Sequence, residues 1–329
     1  MSARPLSSES EIKTKAYLLS IRLFFISSKL FEAQITDVFD RLWPTLTALK
    51  MLRWQVRGFH EEYDVKDNER LSMRFVDQED ITWRPNLYRV CMLQTWKQME
   101  ESIAKDLLIN LIARFEGWCE NILREIGYST KKDIKNVSKK MQFPGEFSTL
   151  ITSLISGADP CIQNAFYNKY SHSTRSQPSH LDENLRYYRF FKECRNSIIH
   201  NAERTTSEII DCKKDIASIK KTDLFVEELP ESPCNTLNNP LAISLRGVVG
   251  FSQILLNIVS TMDCEFIKAK AAKDYLIKQL KLYNPGKPSF VNTKKINSTI
   301  RSICKRSHFK SPENPSCLYT LFKQEHLMK

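Results

Sequence analysis

Glycine is scarce in this chain, 8 of 329 residues, and the glycine-built phosphate cradles are missing with it: there is no P-loop and no GxGxxG. A HExxH zinc pair and a GxSxG nucleophile elbow are absent too, which disfavours several enzyme classes at once. No repeat of 20–50 residues occurs, so a solenoid or propeller is not expected. The nine cysteines include no CxxC pair. Their odd number and scattered spacing fit reduced thiols better than a disulfide framework. Cys304-x3-His308 is half of a metal-ligand pattern without its second half, so neither metal nor cofactor is expected. Residues 1–15 are polar and charged, unlike a secretion signal, and a cytoplasmic location is expected. Long apolar runs are few. Ala16–Phe31 is too short to span a bilayer and is broken by Arg22 and Lys29. Leu241–Met262 is long enough but carries Arg246, Gln253 and Asn257, which reads as a buried bundle helix and not a membrane partner.

What is abundant is positive charge: 49 Lys and Arg against 38 Asp and Glu, a net +11. That surplus favours a polyanionic partner. It is uneven, since residues 284–329 hold nine Lys/Arg and two acids. Here Lys294, Lys295, Arg301, Lys305, Arg306 and Lys310 alternate with Phe290, Phe309, Tyr319 and Phe322. Charges that track a backbone and rings that stack on bases suit single-stranded RNA. A flexible or docked solubilising tail has the same composition, and both readings stand.

The chain reads as mainly α in three parts. Residues 1–84 form an N-terminal module: one or two helices over 9–48, broken at Trp43-Pro44, then a β-hairpin. Leu52, Trp54 and Val56 alternate with polar residues, as do Leu71, Met73 and Phe75, giving a small α/β extension. Residues 85–283 form a helical domain. A long helical pattern runs to Gly127, a natural C-cap, and places Glu116 and Glu120 one turn apart as an acidic partner or a solvated face. Thr130–Lys140 is a lysine-rich connector. Helices follow over Glu146–Ile155 and from Asp159-Pro160 to Tyr170. His172 and His180 flank a loop with no ligand spacing. Further helices cover 205–219 and 241–267, the latter pattern extending toward Leu282, around an irregular 224–239 segment. Asn284-Pro285-Gly286 begins the basic tail, 284–329.

The most informative stretch is Arg186–Asn201. Tyr187, Phe191, Cys194, Ile198 and Ala202 recur at three- and four-residue steps, a helix face turned to a core. Asp182 and Glu183 supply an acidic first turn, so the helix starts near Leu181 and passes His200. Asn196 and His200 lie within about 40° of each other, whereas Arg195 and His200, five apart, diverge by about 140°. One regular helix does not aim both at a single phosphate. A helix break near His200, or a second copy of the helix across a dimer axis, would complete the site.

Arg195-Asn196-Ser197-Ile198-Ile199-His200, an Arg-Asn-x3-His run late in a helix, resembles the signature of HEPN domains. The resemblance implies a HEPN-like helical bundle that dimerises with two motifs face to face. In many members it implies a metal-independent endoribonuclease of toxin–antitoxin or anti-phage abortive-infection systems, with RNA as substrate and an inhibitory or activating protein partner. The chemistry of RNA cleavage fits these residue types. His200 transfers protons near neutral pH, Arg195 stabilises the phosphorane, and Asn196 orients His200 or holds the phosphate. A non-catalytic helical adaptor that binds RNA or protein is the alternative.

Overall fold

The computed structural model describes residues 21–64, 67–76, 85–173, 175–231, 236–284 and 295–328. The chain is mainly helical. Among the described residues the only β feature is an isolated bridge between Arg204 and Pro240.

The expected β-hairpin is not formed. Helix α1 (Ile26–Tyr63) runs without interruption through the first of its strands and through Pro44. The helical step separates the residues that alternation grouped: Val56 is fully buried while Trp54 is 72% exposed. Leu52 and Phe59, four and three residues from Val56, pack with it instead. Pro44 removes one backbone donor, but it lies on an exposed stretch where water can reach the carbonyl it leaves unbonded. The second expected strand is α2 (Asn68–Phe75), whose first turn is capped by the Asp67 carboxylate on the Glu69 amide.

The long pattern toward Gly127 divides into two. A π-helical turn (Tyr88–Leu93) ends at Gln94, and Thr95 with Gln98 makes a capping box that opens α3 (Trp96–Glu125). Arg53, buried in the joint, donates to the Val90 carbonyl at 3.0 Å and to that of Gln94, tying α1 to the turn. Gly127 follows α3 with φ +100°, the left-handed region that suits glycine. The lysine-rich stretch is also a helix and not a connector. Thr130 caps α4 (Lys131–Met141), which buries Ile134, Ser138 and Met141. Its lysines had masked an ordinary amphipathic face.

Then come α5 (Glu146–Ile155), α6 (160–171, with a π-helical turn at Gln163–Tyr167), α7 (Leu181–His200) and α8 (Ser207–Ile216). They are followed by α9 (Leu245–Phe266), α10 (Ala272–Tyr283), α11 (Ile296–Arg306) and α12 (Pro315–Gln324). The centre is α9. It is long and apolar enough to cross a membrane, yet 67% of its most apolar window is buried inside the bundle. Phe251 stacks on Phe191 of α7 with ring centroids 4.5 Å apart, and Tyr188 of α7 meets Phe115 of α3 at 4.7 Å.

Gly247 marks a tight approach. A Cβ there would stand 2.4 Å from the Glu231 carbonyl oxygen. Gly247→Ala is therefore expected to destabilise the chain by about 1–3 kcal/mol as overpacking does, read as a lower urea midpoint at unchanged slope.

Of the two readings of the basic tail, the docked one holds for its described part. Ile300, Ile303, Cys304, Phe309, Leu318, Leu321 and Phe322 join the same core as α3, α7 and α9. Phe309 is 2% exposed and Phe322 is fully buried, so neither ring can stack on a base. Phe290 and Lys294 lie outside the described residues.

Carboxylates from distant helices hold the start of α1. Asp263 of α9 accepts the Phe24 and Phe25 amides at 2.6 and 3.0 Å. Glu125 accepts the Ser27 amide at 3.1 Å, and the Tyr275 hydroxyl accepts that of Ile26 at 2.7 Å. These are the orphan donors of a helix N-terminus, satisfied by tertiary partners in place of a local cap. Beside them Lys29, itself buried, donates to the His308 carbonyl at 2.7 Å and lies over the Phe309 ring.

Candidate functional site

Helix α7 begins at Leu181, as its acidic first turn predicts, and buries Tyr187, Phe191 and Cys194. It ends at His200, and Ala202 is not part of it. Two consecutive residues, Ala202 (φ 48°) and Glu203 (φ 59°), take left-handed backbone that non-glycine residues seldom adopt. Four hydrogen bonds hold this reversal. The Glu203 amide donates to the Ser197 carbonyl at 3.2 Å and the Leu241 amide to Glu203 at 2.8 Å. The Thr205 amide donates to Asn239 at 2.9 Å, and the Ser197 hydroxyl donates to the Arg204 carbonyl. The helix break considered near His200 is thus present, immediately after it.

The three motif residues go different ways. Arg195 points to α3, where its Nη2 lies 2.8 Å from Glu116 Oε2. Lys192 takes the other oxygen of the same carboxylate, also at 2.8 Å, and donates to Gln142 as well. Glu116 is thus an acidic partner for the basic site. Glu120, one turn on, pairs instead with Arg124 at the surface. Asn196 donates to Glu193 Oε2 at 3.1 Å, and Glu193 holds Arg189, whose guanidinium lies over Phe143. His200 is exposed and makes no hydrogen bond or ion pair among the described residues. No hydrogen bond links it to Arg195, in keeping with their angular separation on the helix, or to Asn196, which turns to Glu193.

Sequence reasoning did not find Lys192, Arg189 and Gln142 as parts of this network. Lys192 and Glu116 are 76 positions apart, and no local spacing marks such a pair. His172 and His180 do not join the motif. The ring of His172 contacts the Asn168 carbonyl, and that of His180 meets Phe225 edge-on at 5.3 Å. Among the described residues no cluster of His, Cys, Asp or Glu could hold a metal ion.

The buried thiols are unreactive by environment. Burial pushes Cys264 and Cys304 up to about 12, and pushes Cys119 and Cys194 higher still. Cys194 on the motif helix is accordingly a core residue and not a nucleophile.

The exposed end of α7 shares its end of the bundle with an apolar surface. Glu203 pairs with Lys105 near the start of α3 at 2.8 Å. The distal half of α1 packs against the same region, through Arg53 to Met99 and Lys50 over Trp96. On that half of α1, Trp43, Met51 and Trp54 are exposed. They lie within about 80° of one another around the helix.

Comparison with protein-family models, curated proteins and solved structures found no match to this chain.

Proposed function

We propose that this chain is a cytoplasmic, HEPN-like endoribonuclease that works without a metal, as a toxin or anti-phage effector, through a composite site of two copies. The observation that carries the reading is His200: exposed, without a hydrogen-bond or ion-pair partner among the described residues, and terminating the helix that holds Arg195 and Asn196. An imidazole so placed is open to a substrate and to a second motif. The exposed Trp43, Met51 and Trp54 supply apolar surface for pairing at the same end.

In the proposed reaction one His200 removes the proton of a ribose 2′-hydroxyl. The freed oxygen attacks the adjacent phosphorus, and the bond to the 5′-oxygen breaks. The same His200, now an imidazolium, gives that oxygen its proton, while the second copy supplies the arginine. Arg195 turns from Glu116 to the phosphorane, whose charge it meets with paired hydrogen bonds. The products are a 2′,3′-cyclic phosphate and a 5′-hydroxyl. DNA has no 2′-hydroxyl and is expected to survive. Incubation of the purified protein with total RNA and EDTA, with end-group analysis of the fragments, tests this directly. Intact RNA, or fragments bearing 5′-phosphates, would overturn it.

The clasp of Arg195 and Lys192 on Glu116 favours a second reading, a non-catalytic adaptor that binds RNA without cutting it. It also yields a prediction common to both. Glu116→Gln removes the competing carboxylate, so RNA affinity is expected to rise. The dependence of log affinity on log salt should steepen by about one, the signature of an added phosphate contact. Unchanged affinity and slope in a salt series would confine Arg195 to a role in the fold.

A further inference from the structure

We propose that the cavity bounded by the start of α1, residues Ser173 and Arg175, α9 and Lys310 binds a small phosphomonoester that also carries a hydroxyl group. The cavity measures about 270 Å³ and is lined by Arg22, Arg175, Lys310 and Glu32, with Leu256 and Val259 among its apolar walls. Three cations and one carboxylate give the lining a net charge of +2 (3 − 1), which matches a phosphate dianion. Guanidinium groups favour phosphate through their planar fork, and an ammonium adds a point charge.

Two details narrow the ligand further. Glu32 Oε1 accepts from Arg175 Nη1 at 2.9 Å, but Glu32 Oε2 is buried with no hydrogen-bond partner among the described residues. A buried acceptor left unsatisfied calls for a donor, and a sugar hydroxyl supplies one where the fully ionised phosphate of a monoester cannot. Lys310 is held in place, donating to the Lys169 carbonyl at 2.8 Å and lying 4.7 Å from the centre of the Tyr170 ring. Burial lowers its pKa, and the nearby positive charges of Arg22 and Lys169 act in the same direction. A bound anion would relieve that repulsion. The volume lies just under the common range for drug-sized ligands, about 300–1,000 Å³. A phosphorylated pentose fits it, and a polymer does not. None of these residues belongs to the Arg195–His200 face, so the inference stands apart from the ribonuclease reading.

The test is calorimetric titration of the full chain with ribose 5-phosphate, inorganic phosphate and ribose. Ribose 5-phosphate is expected to bind at least tenfold more tightly than inorganic phosphate, with no binding of ribose. Lys310→Met should weaken both phosphates tenfold or more. Glu32→Gln should weaken ribose 5-phosphate by a larger factor than inorganic phosphate. A ligand-induced rise in the melting temperature of the unmodified protein gives a readout that needs no variant. Equal affinity for the two phosphates would reduce the cavity to a general anion site and overturn the class. Absence of both binding and thermal shift at millimolar ribose 5-phosphate would overturn the site.

Discussion

Replacing His200 with alanine is expected to lower RNA cleavage by about 10²–10⁴-fold, the usual contribution of a positioned acid–base group. The melting temperature should not move, because His200 is exposed and its side chain makes no hydrogen bond or ion pair among the described residues. Activity and stability are thus separable at this position. At Arg195 they are not, since its loss also leaves the Glu116 carboxylate on α3 with Lys192 alone. The composite site makes a sharper demand. If Arg195 of one copy serves His200 of the other, then mixing inactive His200→Ala and Arg195→Ala chains restores activity. Half the dimers are mixed and each holds one intact site of two, so roughly a quarter of the normal rate returns. No recovery in a mixture shown to exchange subunits would place both groups within one chain. Full cleavage by each variant alone would remove the motif from the chemistry altogether.

The second large effect concerns Asp263. Asp263→Ala is expected to cost about 2–5 kcal/mol, because two buried amides, those of Phe24 and Phe25, lose their acceptor. Asp263→Asn keeps one acceptor oxygen and should cost less. The same cluster gives the stability a distinctive pH dependence. Burial pushes Asp263 up to about 6 and Glu125 up to about 7, and pushes Lys29 down to about 8. The two carboxylates hold their protons more tightly folded than unfolded. Their contribution is therefore present below the ordinary carboxylate range and is lost as pH rises through about 6 and 7. Lys29 holds its proton less tightly folded, so its contribution is present above 10.5 and is lost as pH falls through about 8. The summed contribution is lowest between about pH 7 and 8. Urea midpoints across pH 5–10 should show this trough for the unmodified protein. In Asp263→Asn its acid side should be shallower. An unchanged acid side would mean that Asp263 does not titrate in this window.

The motif helix was legible because its signals are local. Tyr187, Phe191 and Cys194 repeat at the helical step, and Asp182 and Glu183 mark its first turn. The helix over Glu146–Ile155 was legible for the same reason. The β reading of residues 52–75 failed because a short run of alternating apolar residues fits both periods, and only the partner surface decides between them. In this chain the partners are Leu87 and Cys91, well downstream. Thr130–Lys140 was misread because five lysines over 131–140 (131, 132, 135, 139 and 140, with Lys131 opening the helix) conceal a stripe of three core residues. The spacing of Arg195 and His200 was legible as a problem, and the structure keeps it one within a single chain. What no spacing could reveal is that Arg195 meets Glu116, 79 positions earlier.

The seat of α1 has a consequence for how the protein is made. The amides of Phe24 and Phe25 find their acceptor 239 and 238 positions later in the chain, and Lys29 meets His308, 279 positions on. A ribosome delivers residue 24 long before residue 263, so this end of the longest helix waits through most of synthesis for its partners. Pairings so distant in sequence close late, after loop entropy has been overcome, and they slow folding. During that interval Phe24, Phe25 and Phe31 have no core to enter, and a nascent chain that exposes them is a natural client for chaperones. A shortened version that stops before residue 263 would carry this exposure permanently, and one that begins at residue 85 would leave Asp263 and Glu125 buried with no helix start to hold.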